Sequence, residues 1–168
     1  MARTDRKLVR QGWLLLLCLA LVPRPATAQD HYPRTLGYDV RHYRFALTLA
    51  DQTDEISGET TVTVRFRASG LTSLSLDLVG KPAGRAGGTT GMTVTSVSRA
   101  GQTLPFEHTD DRLTWQLPTP SQADSTATYR IVYQGIPEDG LIISRNRHGD
   151  RTFFGDNWPN RAHYWLPT

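Results

Sequence analysis

Apolar and polar residues alternate with a period of two along much of the chain. The first alternating run covers residues 42–49, and the second covers Ile56–Phe66 after a short polar turn. Because successive side chains of a β-strand point to opposite faces, each run predicts a strand with one apolar face. The two runs together predict an antiparallel pair whose other face is exposed to water.

Shorter segments of the same kind follow, bounded by turn-forming residues, at 74–78, 92–97, 104–108, 113–117, 127–133, 141–143 and 152–154. Trp115 shares one face of its segment with Leu113 and Leu117, so we predict that it lies in the core. No segment after residue 28 repeats its apolar residues every 3.6 positions over three turns. Eight or nine short strands predict an all-β fold, a mostly antiparallel domain of sandwich-like or saddle-shaped form.

The first 28 residues, Met1–Ala28, have the organisation of a cleavable signal peptide. Basic residues between positions 3 and 10 precede an apolar run of ten residues, Trp13–Val22, and Ala26-Thr27-Ala28 supplies a small-x-small cleavage pattern. A run of that length is too short to span a bilayer as a helix, and an uncleaved anchor is the alternative. We predict a signal peptide at 1–28 and an exported domain at 29–168, located in the periplasm or outside the cell.

Removing this leader changes the charge of the protein. The whole chain carries a formal net charge of +3, whereas residues 29–168 hold 14 basic and 15 acidic side chains. No stripe of Lys and Arg remains, so nucleic acid is not predicted as a partner. Cys18 is the only cysteine and lies in the leader, so the mature chain has no disulfide. We also predict no membrane association after cleavage.

The mature sequence lacks the motifs of a self-contained active site. None of its five histidines forms an H-E-x-x-H motif or an i, i+4 pair, and no G-x-S-x-G motif is present. The acidic pairs Asp110-Asp111 and Glu138-Asp139 fall in polar turns, where solvation accounts for them. We therefore predict that this stretch by itself is non-catalytic and binds no metal.

The segment after Gly140 mixes aromatic and polar residues more densely than any other part of the chain. The aromatic residues are Phe153, Phe154, Trp158, Tyr164 and Trp165, and among them stand Asp156, Asn157, Asn160, Arg161 and His163. Such a segment is typical of a surface that meets another molecule, and equally of an apolar plug that closes a β-domain. Composition leaves both interpretations open.

The residues of this segment resemble the end of the N-terminal domain of the aminopeptidase N-like zinc metallopeptidases. The matching stretches are GLIIS at 140–144, TFFGDNWPNRAH at 152–163 and WLPT at 165–168. The resemblance implies a curved, mostly antiparallel β-domain laid over a catalytic domain. It also implies that the full-length protein is an exported enzyme in which zinc and a glutamate base remove N-terminal residues from peptides.

The zinc motif and the G-x-M-E-N exopeptidase motif of that family are absent from these 168 residues. The resemblance therefore implies that this domain supplies a wall of the substrate pocket, while a catalytic domain beyond Thr168 binds zinc and the peptide. The competing hypothesis is a secreted β-sandwich module that binds protein or glycan without enzymatic activity. That hypothesis explains the leader and the strands but leaves the aromatic run at 153–167 unexplained.

The same resemblance implies a substrate-binding role for two residues. In many relatives the corresponding run reads Q-x-E-P or Q-x-Q-A, and its first and third residues line the pocket for the substrate's free amine and first side chain. With Pro159 and Pro167 placed on the two prolines of the family, Asp156 takes the first position and Trp158 the third. A carboxylate could attract an ammonium group, whereas an indole could offer only a cation–π contact.

A structural alternative exists for each of these residues. Trp158 could pack against Pro159 and Phe154, and Asp156 could cap a turn. Arg161 and His163 are predicted to brace the loop through hydrogen bonds rather than to contact the substrate.

Overall fold

A computed structural model describes residues 35–81 and 88–168 of the chain. The predicted signal peptide and its cleavage site lie outside the described residues. Within the described ranges, no helix is long and apolar enough to cross a membrane. The strands are β1 (Tyr38–Thr48), β2 (Ile56–Phe66), β3 (Ser73–Asp77), β4 (Gly91–Arg99), β5 (Gln102–Thr103), β6 (Phe106–Thr109), β7 (Arg112–Gln116), β8 (Thr126–Ile136), β9 (Leu141–Arg145) and β10 (Arg151–Gly155), and a 3-10 helix covers Arg161–Tyr164.

Five strands form one sheet in the order β1-β2-β8-β4-β5, and three form a second sheet in the order β3-β7-β6. Strands β9 and β10 pair as a separate hairpin. Every strand pair is antiparallel, and one isolated bridge between Gly80 and Met92 is parallel. The predicted all-β, mostly antiparallel fold is confirmed.

The apolar faces of the two sheets share one core. Strand β2 buries Val62 and Val64, while its alternate positions are only partly covered, as the period-two pattern predicts. Trp115 of the second sheet contacts Tyr129 of the first, with ring centroids 5.3 Å apart. Trp115 is 1% exposed, which confirms its predicted place in the core. Contact across the sheets makes the domain sandwich-like.

Two details differ from the sequence-based expectation. The predicted strand at 104–108 is interrupted at Pro105, which has no N–H to donate to a ladder, so β5 and β6 are separate. The predicted apolar face of β1 is buried only in part, because Leu47 and Leu49 are exposed while Tyr43 and Phe45 pack against the core. Strand β1 is the edge of its sheet and has a single neighbour, so fewer side chains cover its end.

Alkaline unfolding provides a test of this core. Tyr133 is buried, and burial raises the pKa of its hydroxyl to about 12 from the ordinary 10. Since the folded pKa is the higher one, the stabilisation is complete below pH 10 and is lost as pH rises through 12. Between these limits the wild type should lose roughly 2–3 kcal/mol more unfolding free energy than Tyr133→Phe, measured by urea unfolding at each pH. An equal fall of the unfolding free energy with pH in the two proteins would show that burial does not raise the pKa of Tyr133.

Candidate functional site

The segment that follows β10 is tied to the edge of the second sheet. Strand β3 exchanges two backbone hydrogen bonds with the chain end, since Asp77 N donates to Thr168 O at 2.7 Å and Thr168 N donates to Asp77 O at 3.0 Å. Val79 N donates to His163 O at 2.8 Å. These three hydrogen bonds attach the segment to β3 and to the residue Val79 that follows it, and they hold the segment in place.

Gly140 lies where this segment crosses the start of β9. Its φ is +77°, a conformation that glycine adopts without strain. Its carbonyl accepts a hydrogen bond from Asp156 N at 2.8 Å. A Cβ atom at this position would stand 2.4 Å from the carbonyl oxygen of Arg161, so only glycine permits the two backbones to approach this closely.

Asp156 belongs to a cluster of three charged side chains. Arg161 Nη1 donates to Asp156 Oδ2 at 3.0 Å, and Arg161 Nε lies 3.6 Å from Asp139 Oδ2. The other carboxylate oxygen of Asp139 accepts a hydrogen bond from Gly140 N at 2.7 Å. All three side chains are partly exposed, so the ion pairs contribute orientation more than stability. Two carboxylates share one guanidinium, which leaves one net negative charge at the surface.

The aromatic residues of the segment divide into two groups. Trp165 is 7% exposed, and its indole N–H donates to Asn157 Oδ1 at 2.9 Å. Trp158 is 81% exposed and Phe154 is 65% exposed. The plug interpretation therefore describes Trp165, whereas the indole of Trp158 stands at the surface, joined to Pro159 by a cis peptide bond.

His163 contacts its own segment. Its Nδ1–H donates to the carbonyl of Asn160 at 2.6 Å, and its ring lies 4.5 Å from the ring of Tyr164 between centroids. Arg161 likewise bonds to Asp156 within the segment. The structure thus brings Asp156, Arg161 and the unforeseen Asp139 together, and it places Trp158 and His163 on the same short loop.

Comparison with solved structures gives consistent matches. An M1 zinc metallopeptidase variant bound to L-tryptophan is 28% identical over 79% of this chain and 29% of its own length, with a TM-score of 0.60. This chain matches the N-terminal domain of the M1 zinc metallopeptidases. The M1 enzyme from Deinococcus radiodurans is 26% identical over the same shares, with a TM-score of 0.60. The predicted resemblance to the N-terminal domain of these zinc metallopeptidases is confirmed.

A more distant relative shows the same fold. Leukotriene A4 hydrolase from Saccharomyces cerevisiae matches 86% of this chain and 23% of its own, with a TM-score of 0.61 and 18% identity. No protein-family model and no curated protein matches the sequence. The chain spans less than a third of the length of the M1 enzymes that it matches.

The described part of this M1-type domain does not fit a zinc site. Within residues 35–81 and 88–168, no group of three His, Cys, Asp or Glu side chains is arranged to hold a metal ion. His42 lies on β1, and His108 on β6 uses its Nε2–H to donate to Leu78 O at 2.8 Å. In a full-length protein of this kind, zinc would have to be bound by residues outside the described ranges.

Sequence reasoning missed two residues of the segment. The sequence predicts a solvated acidic turn at Asp139, whereas the structure places its carboxylate beside Arg161. The sequence assigns no role to Asn157, whereas its amide oxygen accepts a hydrogen bond from the Trp165 N–H. The available sequence signal for Asp139 was the Asp139-Gly140 pair, because Asp-Gly marks a tight turn.

Proposed function

We propose that this domain forms one wall of the substrate pocket of an exported zinc aminopeptidase, whose zinc and catalytic residues lie outside residues 35–168. The observation that carries the proposal is the exposed indole of Trp158 on a segment tied down at both ends. Exposing a Trp side chain forgoes the burial of about 150–250 Å² of surface, so such a residue is expected to meet a partner. The match to M1 enzymes supplies the kind of partner, and the leader pattern supports export.

The chemistry of the segment suits the amino end of a peptide. The cluster of Asp139, Arg161 and Asp156 carries one net negative charge, which attracts an ammonium group. Trp158 offers an aromatic face for a cationic or aromatic first side chain. M1 variants have been solved with L-tryptophan, with L-arginine and with a Tyr-Ser-Ala substrate, and we extend peptide substrates to this protein by analogy.

Each residue of the wall has a distinct task in this proposal. Asp156 binds the substrate ammonium group and Trp158 contacts the first side chain, while Arg161 and His163 hold the loop in shape. Zinc, when bound by the catalytic domain, would activate a water molecule for attack on the peptide carbonyl. The residues described here contribute binding and orientation rather than proton transfer.

The test uses the full-length enzyme. Trp158→Ala should raise KM for peptides about 2- to 30-fold, the range that corresponds to a cation–π contact of roughly 0.5–2 kcal/mol, with little change in melting temperature. Asp156→Asn should also raise KM, because it removes the charge while keeping the shape. Phe106→Ala provides the control, since Phe106 is an exposed aromatic on β6 and should leave KM unchanged.

Two outcomes would refute the pocket assignment. Variants that melt early while keeping the wild-type KM would show that the segment is only structural. A coding sequence without H-E-x-x-H and G-x-M-E-N beyond Thr168, together with no peptidase activity, would favour the secreted binding module. Reading that coding sequence is the quickest of these measurements.

A further inference from the structure

Two shallow grooves meet at one end of the five-stranded sheet, far in sequence from the segment discussed above. Their volumes are about 700 Å³ and about 490 Å³. Three residues line both grooves, namely Arg99, Thr126 and Tyr129. The grooves therefore adjoin, and the side chain of Arg99 stands where they meet.

The position of Arg99 is set by a tight turn. Arg99 is the last residue of β4 and pairs with Gln102 at the start of β5. Between them Ala100 has a φ of 49° and Gly101 a φ of 83°. Positive φ at both central residues is the signature of a type I′ hairpin turn, which matches the twist of the strands that it joins. Arg99 is thus presented by ordered backbone rather than by a long loop.

The guanidinium of Arg99 differs from most others in the described residues. Ion pairs to Asp or Glu are formed by Arg41, Arg65, Arg67, Arg112, Arg130, Arg151 and Arg161. Arg99 forms none within residues 35–81 and 88–168, and its guanidinium lies 5.9 Å above the centre of the Tyr129 ring. A half-buried guanidinium that is not paired with a carboxylate can still bind an anion from solution.

The other residues that line the grooves also favour an anion. Among the described residues, neither groove is lined by an Asp or a Glu, and the second guanidinium, that of Arg130, is paired with Glu59 at 2.7 Å. Thr126 lines both grooves together with Arg99, and Thr119 lines the smaller one, so two hydroxyl groups are available beside the guanidinium. The hydroxyl of Tyr129 is buried and has no partner within the described residues. Hydroxyl donors around a guanidinium fork form a binding surface for an oxyanion.

We infer that the grooves around Arg99 form an anion-binding site for a small ligand that carries a carboxylate or a phosphate group. Arg99 donates two parallel hydrogen bonds to the anion, and the hydroxyl of Thr126 completes the contact. The cation–π contact with the Tyr129 ring keeps the Arg99 side chain beside the grooves, and the planar fork of its guanidinium favours an oxyanion over chloride.

The test measures anion binding to the purified protein at constant ionic strength. Inorganic phosphate and acetate are titrated separately by calorimetry, with sodium chloride as the reference salt, so the two sources of the oxyanion are distinguished. At least one of them should bind and raise the melting temperature above that in chloride. Arg99→Gln should weaken this binding at least tenfold, and Thr126→Val should weaken it severalfold.

Arg112→Gln is the matched control, because it removes the same charge from an arginine that pairs with Asp77 on the other sheet. It should change the anion affinity less than twofold. If Arg99→Gln unfolds, Arg99→Lys retains the charge without the planar fork and should still lose most of the affinity. Equal anion affinity in the wild type and the Arg99 variants, or no binding of either anion beyond chloride, would overturn the inference.

Discussion

Trp115→Ala is expected to destabilise the domain by about 3–5 kcal/mol, the range for removing a large buried aromatic side chain. Trp115 is 1% exposed and contacts Tyr129 across the two sheets, so its loss opens a cavity at the centre of the sandwich. A small domain has a total stability of only about 5–15 kcal/mol, so a loss of this size is large. Urea unfolding followed by far-ultraviolet circular dichroism measures the change.

Trp158→Ala is the matched control for this experiment. It removes the same side chain from a position that is 81% exposed, so the unfolding free energy should change by about 0.5 kcal/mol or less. The pair therefore separates burial from residue type. Similar losses in both variants would mean that Trp158 packs against the domain, and the pocket role would lose its main support.

Gly140→Ala is expected to release the segment that carries Asp156 and Trp158. The substitution combines a left-handed backbone with a Cβ atom 2.4 Å from the carbonyl oxygen of Arg161. We expect a loss of roughly 2–5 kcal/mol, by adding the cost of the left-handed conformation to that of overpacking. Increased quenching of Trp165 fluorescence by acrylamide would show that the segment has moved from the core.

Gly149→Ala isolates the backbone part of this effect. Gly149 also has positive φ, at 89°, but a Cβ atom there would meet nothing within 4 Å. Its replacement should cost only the backbone term, about 1–2 kcal/mol, and should leave Trp165 protected. Equal losses in the two alanine variants would show that the approach of Gly140 to Arg161 is not tight. In the full-length enzyme, Gly140→Ala should also raise KM, because it displaces the proposed pocket wall.

Local patterns were sufficient to predict the fold class. Strand β2 begins and ends at the predicted residues, Ile56 and Phe66, and Trp115 lies in the core as its position between two leucines indicated. Both results depend on the two-residue period of a strand, which is a property of neighbouring residues. The resemblance in the last thirty residues was also local, since it rests on a continuous run of residue types.

The partners of individual side chains could not be predicted in this way. Asp139 and Arg161 are 22 positions apart and meet only because the backbone at Gly140 passes against the 3-10 helix. That Arg99 forms no ion pair within the described residues is evident only from the structure, where most of the other arginines there contact a carboxylate. Sequence separation hides these contacts, because they depend on how strands and loops pack.

Trp158 and Trp165 illustrate the difference most directly. They stand seven residues apart in one aromatic run, and composition alone assigned them the same two alternatives. The sequence by itself determined that aromatic and polar residues stand close together in one continuous run. Only the tertiary structure decided that Trp165 is buried beside Asn157 while Trp158 is exposed. The physical reason is that the chain end pairs with β3, which directs one indole into the core and leaves the other at the surface.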